Sequence, residues 1–410
     1  LDNVTHSLVG LLFAETLLRL GERSRTQPLA VRRATYALSI VGNNLPDLDF
    51  IYQRVSGKTF GYLLQHRGYT HTVLAALGFA GLMLGALVAA RRLGRIQFDG
   101  QDLRLFAWVA LVSPLLHIAM DFANNYGVHP FWPLDNAWFY GDSLFIVEPA
   151  LWLVIIAPLV FSFVLAPARG ALWFGLALSV GALWYEPFVP RRQAAVLTVL
   201  TAVLSLWSRR QSPLARAWTA LAGFVLVISG FVLAGLAARS LARRAVAADS
   251  ALTLDVVATP MPANPFCWNV LLLERESESF VVRIGRVAVF PHWLDLRHCP
   301  YDRDAAPTAP LQHRLEQVGD SLSWSSEYRM PLAELRSLAQ ERCEVSAFLR
   351  FARVPYVTPE LPDGSRVVGD LRFDRKPGLD FSDVRLPRTQ GGCPPFVPPW
   401  RPPRTDVLSN

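Results

Sequence analysis

The strongest constraint on this chain is a succession of apolar runs that fills its first 245 residues and then stops. Crossing a hydrocarbon core takes roughly 20 apolar residues in helical form, because no water is present there to satisfy free backbone groups. Thr72–Ala90, Pro149–Ala168 and Ala217–Ala238 meet this plainly and contain no charged residue. Leu105–Met120, Gly170–Tyr185 and Ala194–Ser208 are shorter further spans. Ser7–Leu20, interrupted by Glu15, and Ala34–Leu45, closed by asparagines, are full spans or partial helices packed in the bundle. The expected count is six to eight, with eight preferred. The first run lacks the basic start and small-residue exit of a cleavable signal peptide, so it is expected to stay.

The formal charge of +7 is nearly all arginine, since only Lys58 and Lys376 are lysines. The arginines come in short bursts between apolar runs, which argues for membrane anchoring and against nucleic acid as a partner. Arg19–Arg33, Arg91–Arg104, Arg169 and Arg209–Arg216 fall on one side if eight segments alternate, and the positive-inside rule makes that side cytoplasmic. Residues 124–143 carry no Lys or Arg and fall on the other. Arg191, Arg192, Arg243 and Arg244 run against the pattern.

Four polar clusters interrupt the apolar half: Asp2-Asn3-Val4-Thr5-His6, Asn43-Asn44-Leu45-Pro46-Asp47-Leu48-Asp49, His66-Arg67-Gly68-Tyr69-Thr70-His71 and His117-x-x-x-Asp121-x-x-Asn124-Asn125. Imidazole and carboxylate suit zinc-class metals, and ionisable groups inside a membrane usually mark function. The alternating topology puts all four clusters at the same, non-cytoplasmic surface. Each also has a plain reading: Asp2 as a helix cap with His6 at an interface, Asn-Asn-Leu-Pro-Asp as a turn. Asp47 and Asp49 repel each other unless a cation or proton intervenes. His117 and Asp121 share a helix face at i and i+4.

These motifs, Asp2-x-x-Thr5-His6-x-x-x-Gly10, Pro46-Asp47-x-Asp49, His66-Arg67-Gly68-x-Thr70-His71 and His117-x-x-x-Asp121, resemble the YdjM-like, LexA-regulated inner-membrane proteins. The resemblance is strongest over residues 1–150. It implies a metal-dependent hydrolase, and a more distant likeness in motif style to zinc-dependent phospholipase C implies phosphoester chemistry. Tyr140-x-Asp142 and Ile146-Val147-Glu148-Pro149 resemble longer members.

The residues themselves point the same way. Between one and three divalent ions, zinc first, are expected on His6, Asp47, Asp49, His66, His71, His117 and Asp121; seven candidates exceed one closed zinc site and favour two ions sharing carboxylates. Asp47 or Asp49 is the candidate base. Arg67 is a phosphate clamp or an interfacial anchor. Asn124, Asn125, Asp142 and Glu148 are candidate supports behind the ligands. No H-E-x-x-H, G-x-S-x-G or Walker loop is present.

After residue 250 the texture becomes that of a smaller, mixed, mostly β soluble domain. Val281–Phe290, Glu344–Val357 and Arg366–Phe373 read as strands, Pro331 opens a short helix to Gln340, and Pro394–Pro403 is an extended tail. Cys267, Cys299, Cys343 and Cys393 all lie here, as one or two disulfides of open connectivity or as a Cys/His metal site with His292 and His298. The chain therefore reads as a polytopic, mainly α membrane bundle (residues 1–245) followed by residues 250–410, in the inner membrane, with metal site and C-terminal part on the periplasmic side. The function expected of it is metal-dependent hydrolysis of a membrane lipid or small phosphoester at the periplasmic face. The alternative is a non-catalytic protein with a structural metal cluster and a partner-binding C-terminal domain.

Overall fold

The computed structural model describes residues 1–22, 26–163, 166–245, 252–292, 294–299, 313–373, 381–389 and 391–408. Arg23, Arg25, Lys376 and positions 164–165 of the fifth apolar run lie outside them. The chain is mostly helical, and a smaller antiparallel sheet region follows the helices.

Helices occupy all eight apolar runs: α1 (Asn3–Gly21), α2 (Leu29–Gly42), α4 (Val73–Arg92), α5 (Gly100–Phe122), α6 (Pro149–Leu159), α7 (Ala166–Tyr185), α8 (Arg191–Arg209) and α9 (Pro213–Arg244). A short α3 (Gly57–Gln65) lies between α2 and α4. Among the described residues, α1, α4, α5 and α9 are long and apolar enough to cross a membrane. The run expected over Pro149–Ala168 breaks at Leu159, and α7 starts earlier than Gly170. Two prolines explain the break: Pro158 disfavours continuation of α6, and Pro167 fits only a first helical turn.

Glu15, the charge inside the first run, is neutralised within the bundle. It accepts from Arg19 one turn on (2.8 Å) and from the Tyr36 hydroxyl of α2. Near the other end of the same helix pair, Gly10 lets α1 meet α2 backbone to backbone. A Cβ there would lie 2.8 Å from the Ser39 carbonyl, and Ser39 Oγ donates to the Gly10 carbonyl at 2.7 Å. This close approach brings the start of α1 beside the end of α2. Helix α5 packs on α2 and α4, and α6 packs on α1, α7, α8 and α9.

The first sheet comprises β1 (Leu252–Met261), β2 (Asn264–Glu276), β3 (Ser279–Ala288), β4 (His313–Val318) and β5 (Leu322–Pro331), in the antiparallel order β1-β2-β3-β5-β4. Helices α10 (Leu332–Glu341) and α11 (Cys343–Phe348) lead to a second antiparallel sheet of β6 (Pro355–Val357), β7 (Arg366–Asp370) and β8 (Asp383–Leu386), and α12 (Thr405–Leu408) follows the tail. The strand expected over Glu344–Val357 is thus mostly α11 and a turn, with only its end extended. Val345, Phe348, Leu349 and Ala352 are all buried, and that spacing belongs to a helix face. The cysteines pair as Cys267–Cys299 and Cys343–Cys393, so they are not metal ligands with His292 and His298.

The sheets share their cores with the bundle. Phe60, Leu64, Tyr126 and Trp138 bury with Phe348, Tyr356 and Trp400, while Phe231 and Ala234 of α9 bury with Trp268 and Leu272 of β2. Polar joints reinforce this contact: Trp138 Nε1 donates to the Arg350 carbonyl and Trp400 Nε1 to the Leu64 carbonyl, both at 2.7 Å.

Candidate metal centre

Four elements deliver the polar clusters to one end of the bundle. Asp2 caps α1, accepting from Val4 N (2.9 Å) and Thr5 N (3.0 Å), and so fixes the helix start that carries His6. Pro46 opens a 3-10 turn over Leu45–Ile51 that presents Asp47 and Asp49. The loop after α3 carries His66, Arg67 and His71, and the last turns of α5 carry His117 and Asp121. The arginines of Arg91–Arg92 lie about 30 Å along α4 from His71, at the opposite end of the bundle.

At the centre stand His71 Nε2, His117 Nε2, Asp121 Oδ2 and Asp47 Oδ1, all within 4.8 Å of one another. The two imidazole nitrogens are 3.1 Å apart. Asp121 Oδ2 lies 3.1 Å from His71 and 3.3 Å from His117, and Asp47 Oδ1 lies 3.5 Å from each. A tetrahedral ion with bonds of about 2.0–2.1 Å sets neighbouring ligand atoms about 3.3 Å apart, so the spacing suits a zinc-class cation.

The hydrogen bonds behind these atoms give the same answer. His117 Nδ1 lies 2.7 Å from the Asn43 carbonyl, which can only accept, so Nδ1 holds the proton and Nε2 presents a lone pair. His71 Nδ1 faces Thr70 Oγ1 (3.1 Å) and Asp49 Oδ2 (3.6 Å), which leaves its Nε2 equally available. Two lone pairs and two carboxylate oxygens thus converge with His71, His117 and Asp121 fully buried. Such a group repels itself unless a cation or shared protons lie within it. Burial pushes the Asp47 carboxyl up, but where protons on His117 and His71 take the place of a cation, their hydrogen bonds outweigh it and hold Asp47 well below the usual carboxylate range.

Three of the seven expected ligands stand around this group rather than in it. Asp49 is buried behind His71, where it accepts from the Arg67 backbone N–H (2.8 Å) and meets His66 Nδ1 (3.2 Å). His66 stacks on Tyr62 with ring centroids 4.6 Å apart, and burial lowers its pKa. His6 stacks on His117 at 3.8 Å, and its Nε2 is 3.2 Å from Asp121 Oδ1. Among the described residues its buried Nδ1 has no partner. Among the described residues one four-ligand group is assembled, and Asp121 alone offers one oxygen to that group and the other to His6.

Arg67 is 1% exposed, which excludes the interfacial-anchor reading. Its φ of 59° turns the loop so that the guanidinium points inward. Nε lies 3.0 Å from Asp121 Oδ2 as a charge contact without hydrogen-bond alignment, and Nη1 donates to Asn124 Oδ1 at 2.7 Å. The ring of Tyr126 lies 5.1 Å from the guanidinium carbon.

Asn124 therefore supports the centre through Arg67. The other three expected supports serve the joint with the sheets instead. Asn125 donates to Thr259 Oγ1 (2.9 Å), and Asp142 accepts from Arg353 (2.9 Å). Glu148 caps α6 through Ala150 N (3.0 Å) and accepts from Ala263 N (3.0 Å) in the β1–β2 turn. Burial raises the Glu148 carboxyl to about 8 despite those backbone bonds. Trp400 was not foreseen in a tail read as extended. It is fully buried, stacks on His129 at 3.9 Å and packs 2.9 Å from where a Cβ on Gly68 would lie, which braces the loop carrying Arg67 and His71.

Residues 1–193 match the family model described as YdjM inner membrane protein, which bears out the resemblance of the motifs over that part of the chain. No curated protein and no solved structure matches the chain.

Proposed function

We propose that this chain, whose residues 1–193 match the YdjM inner membrane protein family model, is a metal-dependent hydrolase of a phosphoester or lipid headgroup. The observation that carries this reading is the convergence of buried His71, His117 and Asp121 with half-buried Asp47, the imidazole nitrogens lying 3.1–3.5 Å from each other and from the carboxylate oxygens. When bound there, a zinc-class ion supplies Lewis acidity and lowers the pKa of water towards about 7.

The chain's own residues set up the rest of the chemistry. Asp47 is the one member of the group in partial contact with solvent, so water and substrate approach from its side. That position also makes Asp47 the better candidate for moving a proton, while Asp49 orients His66, Arg67 and His71 from behind. Arg67 keeps a permanent positive charge beside the group, where negative charge develops as a phosphoester is attacked. The arginine-rich ends of α1 and α4, opposite the centre, support a periplasmic site in a multi-pass inner-membrane protein.

The full chain, reconstituted with zinc in detergent, should hydrolyse a chromogenic phosphodiester or a phospholipid and lose the activity on chelation. Failure across such a panel with one ion bound per chain would favour a second reading. In that reading the metal only staples helices, as the complete burial of His71, His117 and Asp121 would suit. A periplasm-active reporter should be active after Arg244 and silent within Arg91–Arg95.

A further inference from the structure

The bundle holds a second feature, well apart in sequence from the metal centre. A groove of about 860 Å³ opens where the start of α8 meets the loop after β3. Its α8 wall is Arg191, Arg192, Gln193 and Val196, and its loop wall includes His292 and His298. Both arginines are exposed. Arg191 donates to the Trp184 carbonyl (3.1 Å), and among the described residues Arg192 has no partner. Asp295, the carboxylate in the lining, is already tied to Arg297 at 2.6 Å. The first turn of α8 follows Pro190, which provides no side-chain cap, so its backbone N–H groups add to the positive end.

The same pair breaks the loop-charge pattern of the chain. Arginine-rich turns gather at the end of the bundle away from the sheets, yet Arg191 and Arg192 sit at the end that touches them. Gln193 donates to the Ala263 carbonyl in the β1–β2 turn, which fixes that location. From the groove, α8 continues as an exposed apolar row of Val196, Val199, Leu200 and Val203. Exposed Trp184 and Tyr185 at the end of α7 mark an interfacial depth beside it. Cations at the mouth of an apolar groove, with an apolar helix face running away from them, match an amphiphile with an anionic head.

We propose that this groove binds one anionic phospholipid, with its phosphate on Arg191 and Arg192 and its acyl chains along the Val196–Val203 face. His292 and His298 close over the head, so that the lipid joins the sheet region to the bundle. The site does not depend on the metal centre or on hydrolysis.

Native mass spectrometry of the delipidated full chain, titrated with phosphatidylglycerol or phosphatidylcholine, tests this directly. Phosphatidylglycerol should form a preferred single adduct. Arg191→Gln with Arg192→Gln should weaken it by about tenfold or more, as expected for two arginines at an anionic headgroup. Arg243→Gln with Arg244→Gln, an exposed pair outside the groove, should leave it unchanged. Val196→Trp, which fills the groove without altering charge, should also weaken it. Equal affinity for the two lipids, or equal loss in both arginine pairs, would overturn the proposal. Displacement of the adduct by equimolar glycerophosphoglycerol would likewise overturn it, since a free headgroup lacks the chains.

Discussion

Asp49→Asn separates a metal ligand from a residue that orients one. Asparagine keeps an acceptor for the Arg67 backbone N–H, now 2.8 Å from Asp49 Oδ2. It removes the negative charge that faces His66 Nδ1 at 3.2 Å and His71 Nδ1 at 3.6 Å. His71 then loses part of what holds its proton on Nδ1 and its lone pair on Nε2. Losing such a carboxylate behind a metal-bound imidazole weakens metal affinity by about 10–100-fold. That factor corresponds to about 1.4–2.7 kcal/mol. Competition against a chromophoric zinc chelator, using the full chain in detergent, reads the affinity, and elemental analysis reads the stoichiometry. The variant should still fill one site, at raised Kd. Complete loss of metal at saturating zinc would make Asp49 a ligand, and an unchanged Kd would remove it from the centre altogether.

Asp121→Asn should abolish metal binding and, by leaving the buried Arg67 guanidinium without its acid, cost about 3–5 kcal/mol of stability; an unchanged thermal midpoint would contradict that pairing. Glu148 has its folded pKa raised from 4.5 to about 8 by burial, so the folded state holds the proton more tightly. The contribution of Glu148 to stability should then be fully present below pH 4.5 and fall by on the order of 5 kcal/mol as pH rises through about 8. Glu148→Gln should flatten that fall in pH-dependent unfolding, and an identical profile would refute it. The disulfides close loops of 32 and 50 residues. Each should contribute about 4 kcal/mol, so reduction should lower the unfolding midpoint of the sheet region, and thiol labelling before reduction should find no free cysteine.

The helices were legible because long apolar runs between polar turns favour helices, and each apolar run holds a helix, four of them long and apolar enough to cross a membrane among the described residues. The ends of α6 were not, because the run stays apolar across Pro158 and Pro167 while the backbone does not stay helical. Residues 344–357 misled for a related reason: short apolar stretches permit both periods, and only the burial of Val345, Phe348, Leu349 and Ala352 decides for a helix. His71, His117, Asp121 and Asp47 were legible as a set, since alternating spans put their clusters at one end. The division between ligands and supports was not. It depends on the Asn43 carbonyl and on the 3-10 turn that swings Asp47 forward and Asp49 back, neither of which residue type encodes. Asn125, Asp142 and Glu148 were misassigned because their partners, Thr259, Arg353 and Ala263, lie more than a hundred residues away.

Anomalous diffraction at the zinc edge, on crystals of the full chain loaded with zinc, puts the central claim to the most direct test. One peak should lie among His71 Nε2, His117 Nε2, Asp121 Oδ2 and Asp47 Oδ1, at about 2.0–2.2 Å from each, with Asp49 and His66 outside bonding distance. A peak held by Asp49 and His66 instead, or no peak between His71 and His117 at full occupancy of zinc in solution, would contradict it.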